Sequence, residues 1–426
     1  MAATAATLAI RPLERSGEDP ALIAALARLL VDAYPVMGIT TRDALAAYEG
    51  QFPEILRTDH TVVVIAERDG VLAGAMRLYD YQMNVRGRDA FTGGVGAVAV
   101  ALTHKRQGIA RALIAWYLEH YRAREAVFAA LHPFRLDFYR ALGFGYGTPV
   151  HRFRFAPATL RADGARGTVR MLAESDLDAL LECYERVRAQ TNGLIAKHRA
   201  AAARALADAA MRYVAVEDAG AIRGFMQTTA AGADPALRNR DELIVRDLAY
   251  EDETYLAALL GYLRNQRDQF ARIAIESQDA ALYLAAADPR DGSDIAVAPP
   301  ASHRVAETGL GIMYRILDVE RALAHLPGTT APFALRLDVD DPFQPAAGGT
   351  RTFRFGPRRS PQRDDTASPD ATLTIGIHDL ASVVLGSLRV RDVVHHRLAT
   401  VEPARALDIV DAAFRADQPP VCTTRF

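Results

Sequence analysis

At 426 residues the chain is longer than one hydrophobic core ordinarily serves, so two or three domains are expected. Half of the residues are apolar, 24% are charged and the net charge is -2, the balance of a soluble globular protein with no electrostatic reason to bind nucleic acid or an anionic membrane. Cys183 and Cys422 match no metal or redox spacing, and the N-terminus has neither the basic nor the long apolar region of a signal peptide, so a reduced cytoplasmic setting is expected.

Residues 5–12 read as a first strand. Asp19-Pro20 opens an Ala/Leu-rich helix to about Asp32, and a second helical stretch from Thr41 to Gln51 follows the Tyr34-Pro35 break. Thr61 to Glu67 and Val71 to Tyr79 are β-rich runs joined by Arg68-Asp69-Gly70, a hairpin signal. Gly96 to Val100 is a further strand, and four residues later a helix begins in which Ile109, Leu113, Trp116 and His120/Tyr121 recur at helical spacing.

This handover is the most informative stretch. First-turn N–H groups at Gln107, Gly108, Ile109 and Ala110 have no intrahelical partner, and the helix dipole adds positive charge. Gly108 lets an anion approach the backbone, and Lys105 and Arg106 supply cations at the rim, so the turn suits a pyrophosphate. By itself such a glycine is also an ordinary strand-to-helix turn. Ala126 to Leu131 is the next strand, Phe138 to Gly147 reads FYRALGFGYG, and His151 to Phe155 is expected to close the first domain near residue 156.

The same order then begins again. Thr168 to Leu172 is a strand, Ser175 to Asp178 caps a helix to about Arg188, and Ala196 to Met211 is a second helix. Arg212 to Glu217 and Ala221 to Thr229 form a hairpin, followed by strand Glu242 to Tyr250, helix Glu253 to Asn265 and strand Phe270 to Glu276, which suggests an internal duplication. Where the first copy has KRQGIA the second has YEDETY, with no glycine and with acids that repel a pyrophosphate. The last third changes character at Gly309: a helix from Val319 to His325, strands Phe333 to Val339, Arg351 to Phe355 and Ala371 to Ile377, an Arg/Asp/Pro-rich loop from Gly356 to Asp370, a helix opened by Asp379, and a last helix within Val401 to Ala416. Asp338, Asp340 and Asp341 lack the glycine and closing Glu of a calcium loop and are expected in a turn; His104, His132, His395 and His396 lack zinc spacing, so no metal is expected.

Strand, pyrophosphate turn, helix, strand and Tyr-x-x-x-Gly-Phe resemble the GNAT acyltransferase pattern, with Lys105 where Arg or Gln is usual. The whole layout resembles the enhanced intracellular survival (Eis) family, most specifically in VAVALTHKRQGIAR, FYRALGFGYG, GIMYRILDVERALAHL, TIGIHDLASVVLGSL and the terminal Phe426. The resemblance implies an α/β (α+β) chain: a GNAT domain with an acetyl-CoA site (1–156), a degenerate GNAT-like domain without one (157–308) and a sterol carrier protein-like domain (309–426). It implies N-acetylation of a primary amine, on an aminoglycoside, polyamine or lysine-like acceptor, and a homo-oligomer, a hexamer in that family. By the same carry-over Tyr139 is the general acid toward the coenzyme thiolate, and the Phe426 α-carboxylate is the base toward the amine. Val98, Ala99, Val100, Arg106, Gln107, Gly108, Ile109, Ala110, Arg111, Phe134 and Arg135 would hold acetyl-CoA. Without the motif, Tyr139 reads as a packing residue and Phe426 as a frayed end. Arg425 departs from the acidic neighbour that the aminoglycoside-modifying members tend to have, and a cation there weakens binding of a polycationic sugar unless its side chain points away. A non-enzymatic lipid-binding or scaffold protein is the other reading of the last domain.

Overall fold

The computed structural model describes residues 7–14, 18–58, 60–230, 242–293, 295–298 and 301–426, so the first residues of the first expected strand lie outside the described residues. In chain order the first unit runs Leu8–Pro12 (β1), Pro20–Ala33 (α1), Arg42–Glu49 (α2), Phe52–Arg57 (α3), Thr61–Arg68 (β2), Val71–Val85 (β3), Arg88–Val100 (β4), Ile109–Ala123 (α4), Phe128–Leu131 (β5), Leu136–Arg140 (α5) and Gly145–Tyr146 (β6). α1 starts where expected because the Asp19 carboxylate accepts from the Ala21 N–H (2.9 Å) and Pro20 fills the first turn. β3 and β4 are far longer than the sequence suggested. They form one antiparallel hairpin that turns at Arg86 and Gly87, both left-handed (φ 53° and 84°), as a two-residue turn matched to strand twist requires.

The second unit comprises Val150–Phe155 (β7), Thr168–Met171 (β8), Leu177–Gln190 (α6), Arg199–Ala207 (α7), Arg212–Asp218 (β9), Ala221–Ala230 (β10), Glu242–Tyr250 (β11), Glu253–Arg264 (α8), Arg272–Ser277 (β12), the short pair Ala296–Ala298 (β13) and Ser302–His303 (β14), and Ala306–Gly309 (β15). Its strand order β8-β9-β10-β11-β12 repeats β1-β2-β3-β4-β5, with the last two parallel in each sheet. One expectation is corrected here. β7, expected to close the first sheet, pairs with β12 and β15 in the second. The place beside β5 belongs to Met313–Ile316 (β16), a segment the sequence reading assigned to the last third, which lies between β5 and β6. Alternation fixes which face of a strand is buried but not which neighbour it takes.

The third unit adds Val319–Leu323 (α9), Phe333–Asp340 (β17), Gly349–Gly356 (β18), Arg359–Arg363 (β19), Ala371–Gly376 (β20), Ile377–Leu385 (α10), Val390–His395 (α11), Ala399–Glu402 (β21) and Leu407–Phe414 (α12), in a sheet of order β19-β18-β17-β20-β21. Asp338 and Asp340, expected in a turn, end β17, while Asp341 is buried and pairs with the equally buried Arg315 of β16. Removing either partner would strand a buried charge at a cost of about 3–5 kcal/mol.

The β3–β4 hairpin tip joins all three units. Arg86 donates from Nε to the Val384 carbonyl (3.0 Å), from Nη2 to Phe414 (2.6 Å) and from Nη1 to Arg415 (2.8 Å), so one guanidinium serves the open carbonyl ends of α10 and α12. Asn84 Nδ2 donates to the Arg188 (2.6 Å) and Thr191 (3.0 Å) carbonyls at the end of α6. Two glycines of FYRALGFGYG allow close packing away from that tip: a Cβ on Gly143 would lie 1.4 Å from the Arg315 guanidinium of β16, and one on Gly145 would lie 1.8 Å from the His378 carbonyl of α10. No helix among the described residues is long and apolar enough to cross a membrane.

Alternation along β3 places Ala75, Arg77, Tyr79, Tyr81, Met83 and Val85 on one face. Ala75 is covered by the core under α1–α3, and Met83 and Val85 join the core of the third unit. Tyr81 is the edge of that second core, Tyr79 packs against it, Arg77 lies between the two coverings, and the chain end arrives there.

Candidate active site

The parallel pairing of β4 with β5 runs only from Thr92–Val95 against Phe128–Leu131. Beyond it β4 continues to Val100 while β5 has ended, so the strands part and the backbone of Gly96 to Val100 has no strand neighbour on that side. A bulge accompanies the parting: the register steps from Arg77↔Gly96 to Ala75↔Ala99, with Ala97 left-handed at φ 50°. The Tyr34 hydroxyl donates to the Val98 carbonyl (2.9 Å) and holds the bulge from the α1 side.

The same cleft runs to the start of α4. Arg106 (φ 62°) and Gly108 (φ 80°) are both left-handed, which turns successive N–H groups inward as an anion nest. Gly108 caps the helix with no side-chain acceptor on its first turn, and a Cβ there would meet nothing within 4 Å. Backbone donors, helix dipole and an open approach therefore fit a pyrophosphate. Of the residues expected to hold acetyl-CoA, Val98, Ala99 and Val100 line the parting strand, and Gln107, Gly108, Ile109 and Ala110 form the turn. Gln107 is itself engaged, accepting from Arg68 and donating to the Thr103 carbonyl (3.3 Å). Arg111 stacks on the Phe343 ring at 4.5 Å. Phe134 is 84% exposed and Arg135 pairs with Asp137, both just before α5.

Tyr139 sits in α5, 5% exposed, in the same apolar cluster as Val98 and Val100. Burial, aided by the neighbouring Tyr34 phenol, pushes its pKa well above the ordinary phenol value, and its hydroxyl makes no hydrogen bond among the described residues. Burial also raises Tyr34, to about 12.

The chain end reaches this place along a seam lined by the first two units. The Thr148 hydroxyl donates to the Pro420 carbonyl (2.6 Å), the Val421 N–H to Asn192 (2.7 Å) and the Cys422 N–H to Gln278, while the His132 ring meets the Thr424 carbonyl (3.0 Å). Arg425 turns aside into an ion pair with Glu276 of β12, so its charge is matched there. Phe426 then packs its ring against Tyr79 (5.6 Å), Tyr81 (5.1 Å) and His132 (5.0 Å). Its carboxyl carbon lies 2.6 Å from where a Cβ on Gly96 would stand. The glycine thus leaves room for a main-chain carboxylate directly on β4, at the edge of the bulge.

The second unit copies the scaffold without the cradle. β11 also carries a bulge beside the parallel pair, the register stepping from Gln227↔Asp247 to Thr228↔Val245. At the start of α8, however, the Asp252 carboxylate accepts from the Thr254 (2.8 Å) and Tyr255 (3.3 Å) N–H groups, so the chain's own acid fills the place of an anion. The sequence reading found the acids there but not this use of them. It also missed Tyr34, Tyr79, Tyr81 and Gly96, since a Tyr-Pro at a helix end and alternating tyrosines in a strand carry no local mark of a site.

Family models for the GNAT acetyltransferase domain match residues 29–147 and 193–316, and a sterol carrier protein domain model matches 319–423. An uncharacterized N-acetyltransferase of Streptomyces coelicolor is 26% identical over 358 residues, 79% of this chain and 82% of that protein. Among solved structures, the GCN5-related N-acetyltransferase of Kribbella flavida (TM-score 0.77, 21% identity, 99% of each chain) and Eis1 of Mycobacterium abscessus (TM-score 0.76, 21% identity, 99% of this chain and 100% of that one) share the fold. The chain therefore belongs to the GNAT N-acetyltransferases of Eis-like build, two GNAT domains followed by a sterol carrier protein domain.

Proposed function

We propose that the protein transfers the acetyl group of acetyl-CoA to a primary amine of a small molecule, with the whole reaction in the first domain. The observation that carries this reading is the terminal carboxyl carbon of Phe426 seated on Gly96, on the strand whose far end parts into the coenzyme cradle. The pyrophosphate lies on the N–H groups at 107–110, and the thioester follows the free backbone of Val98 to Val100. Tyr139 keeps its proton at every physiological pH. Because a thiol titrates near ~8.5 and a phenol near ~10, full proton transfer to the departing sulfur is uphill, so Tyr139 acts first as a hydrogen-bond donor to the charge forming there. The Phe426 carboxylate, with an ordinary value of about 3.3–3.7, is a weak base. It draws the ammonium into place, and the amine attacks only after giving one proton to solvent. The carboxylate takes a second as the C–N bond forms and the nitrogen becomes acidic, while the thiolate that leaves is protonated from solvent, so the position of the carboxylate is decisive.

Free-thiol release from acetyl-CoA with a panel of polyamines, aminoglycosides and lysine-like amines tests the reading, and calorimetry should saturate at one coenzyme per chain because Asp252 occupies the second turn. Silence across the panel, or two coenzymes bound, would overturn it. By the same family likeness the working form is a homo-oligomer, a hexamer, and a monomeric mass at micromolar concentration would argue against that.

A further inference from the structure

Arg77 stands out on the acceptor face. It shares that face of β3 with Tyr79 and Tyr81, opposite Gly96 in the strand register. Neighbouring cations are matched: Arg425 by Glu276, Arg124 by Asp80 (2.7 Å), Lys197 by Asp247 (2.7 Å) and Arg204 by Glu54 (3.3 Å). Arg77 has no carboxylate and no hydrogen-bond acceptor among the described residues. Its Cζ lies 5.2 Å from the Tyr79 ring, its charge is also felt by His60, Tyr48 and Tyr81, and its Nε is buried without a hydrogen-bond partner. A guanidinium half withdrawn from water and lacking an acceptor is costly to keep, and a bound acid would remove that cost through a two-pronged, charge-assisted contact.

The Tyr79 ring also packs against Phe426, whose ring is 5.6 Å away and whose carboxylate lies over Gly96, the residue opposite Arg77 in the register. The chain-end anion and a cation without an ion-pair partner among the described residues thus belong to neighbouring positions of the β3–β4 pair, with the Tyr79 ring beside both. We propose that Arg77 seats a carboxylate of the acceptor, so that the protein acetylates small amines that also carry an acid group, the ammonium drawn to Phe426 and the acid to Arg77. This rests on the acetyltransferase reading above and narrows its acceptor class. A polycation finds Arg77 repulsive, so the same residue selects against such acceptors.

The test compares ω-amino acids of two to eight carbons with their methyl esters, by thiol release, in wild type and in Arg77→Met and Arg77→Lys. At the best chain length the free acid should exceed its ester at least tenfold in kcat/KM. Arg77→Met should lose roughly 10- to 100-fold on the acid, mostly in KM, while the ester stays within about twofold. Arg77→Lys, which keeps the charge but not the fork, should fall between. Equal rates on acid and ester in wild type would overturn the proposal. So would an equal loss on both in Arg77→Met, which would mean that Arg77 serves the Phe426 carboxylate or the fold. Failure of the acetyltransferase reading itself would look different: no thiol release with any amine, esters and polyamines included, despite coenzyme binding, and the proposal would fall with it.

Discussion

Gly96→Ala tests the seating of the chain end most directly. Gly96 has an ordinary strand conformation, so alanine is tolerated by the backbone and the added methyl acts through contact alone. That methyl would stand 2.6 Å from the Phe426 carboxyl carbon and 3.1 Å from its oxygen, with the Tyr79 ring at 3.4 Å. Ordinary carbon contacts begin near ~3.5 Å, so the carboxylate must withdraw by about 1 Å. It cannot do so by sliding the tail, which is tied at Pro420, Val421, Cys422, Thr424 and Arg425; only the last residue can turn. Misplacing a reacting group by about 1 Å can cost on the order of a hundredfold in rate. The assay is steady-state thiol release with the best amine, beside calorimetric acetyl-CoA binding. Turnover should fall by about a hundredfold while coenzyme affinity stays within about threefold, because the pyrophosphate donors lie at 107–110. A glycine added after Phe426 moves the carboxylate up to ~3.5 Å and should fall at least as far. If both proteins turn over at the wild-type rate, the carboxylate has no part in catalysis.

Other expectations follow from the same geometry. Gly108→Glu places a side chain and an anion in the open cradle at a left-handed position (φ 80°), and calorimetry should show acetyl-CoA binding lost; unchanged affinity would move the site. Tyr139→Phe should lower kcat by about 10²–10⁴ with coenzyme affinity retained. Because burial raises the Tyr139 pKa, its donor proton is present below that raised value and lost only above it, so the wild-type rate should show no alkaline fall from this group up to about pH 10. Arg86→Ala removes three donors from the carbonyl ends of α10 and α12 and should cost roughly 3 kcal/mol in thermal or denaturant unfolding, with the third unit loosening first under limited proteolysis.

Much of this was legible in the chain because it depends on local rules. Asp19-Pro20 starts α1 through a side-chain cap and a fixed proline φ, and Gly108 marks a helix start without a cap, where N–H groups face outward. The repeated order of strands and helices showed in turn residues and periodicity, and the fold class followed from it. Motif likeness pointed to Tyr139 and to a terminal carboxylate, but no local pattern could say what either would meet. The tertiary structure decided the pairing: β7 joins the second sheet and β16 the first, a choice among edges of equal hydrophobic pattern that only packing resolves. It also decided the meaning of Gly96, Gly143 and Gly145. Each is a glycine because atoms from a distant stretch of the chain, the Phe426 carboxyl, the Arg315 guanidinium and the His378 carbonyl, occupy the space of its side chain. Arg425 shows the same limit: by sequence it was a cation beside the chain end, and its partner Glu276, 149 residues earlier, determines which way that charge faces. Local chemistry is written in neighbours along the chain, whereas a site built where three units meet depends on contacts that no single stretch contains.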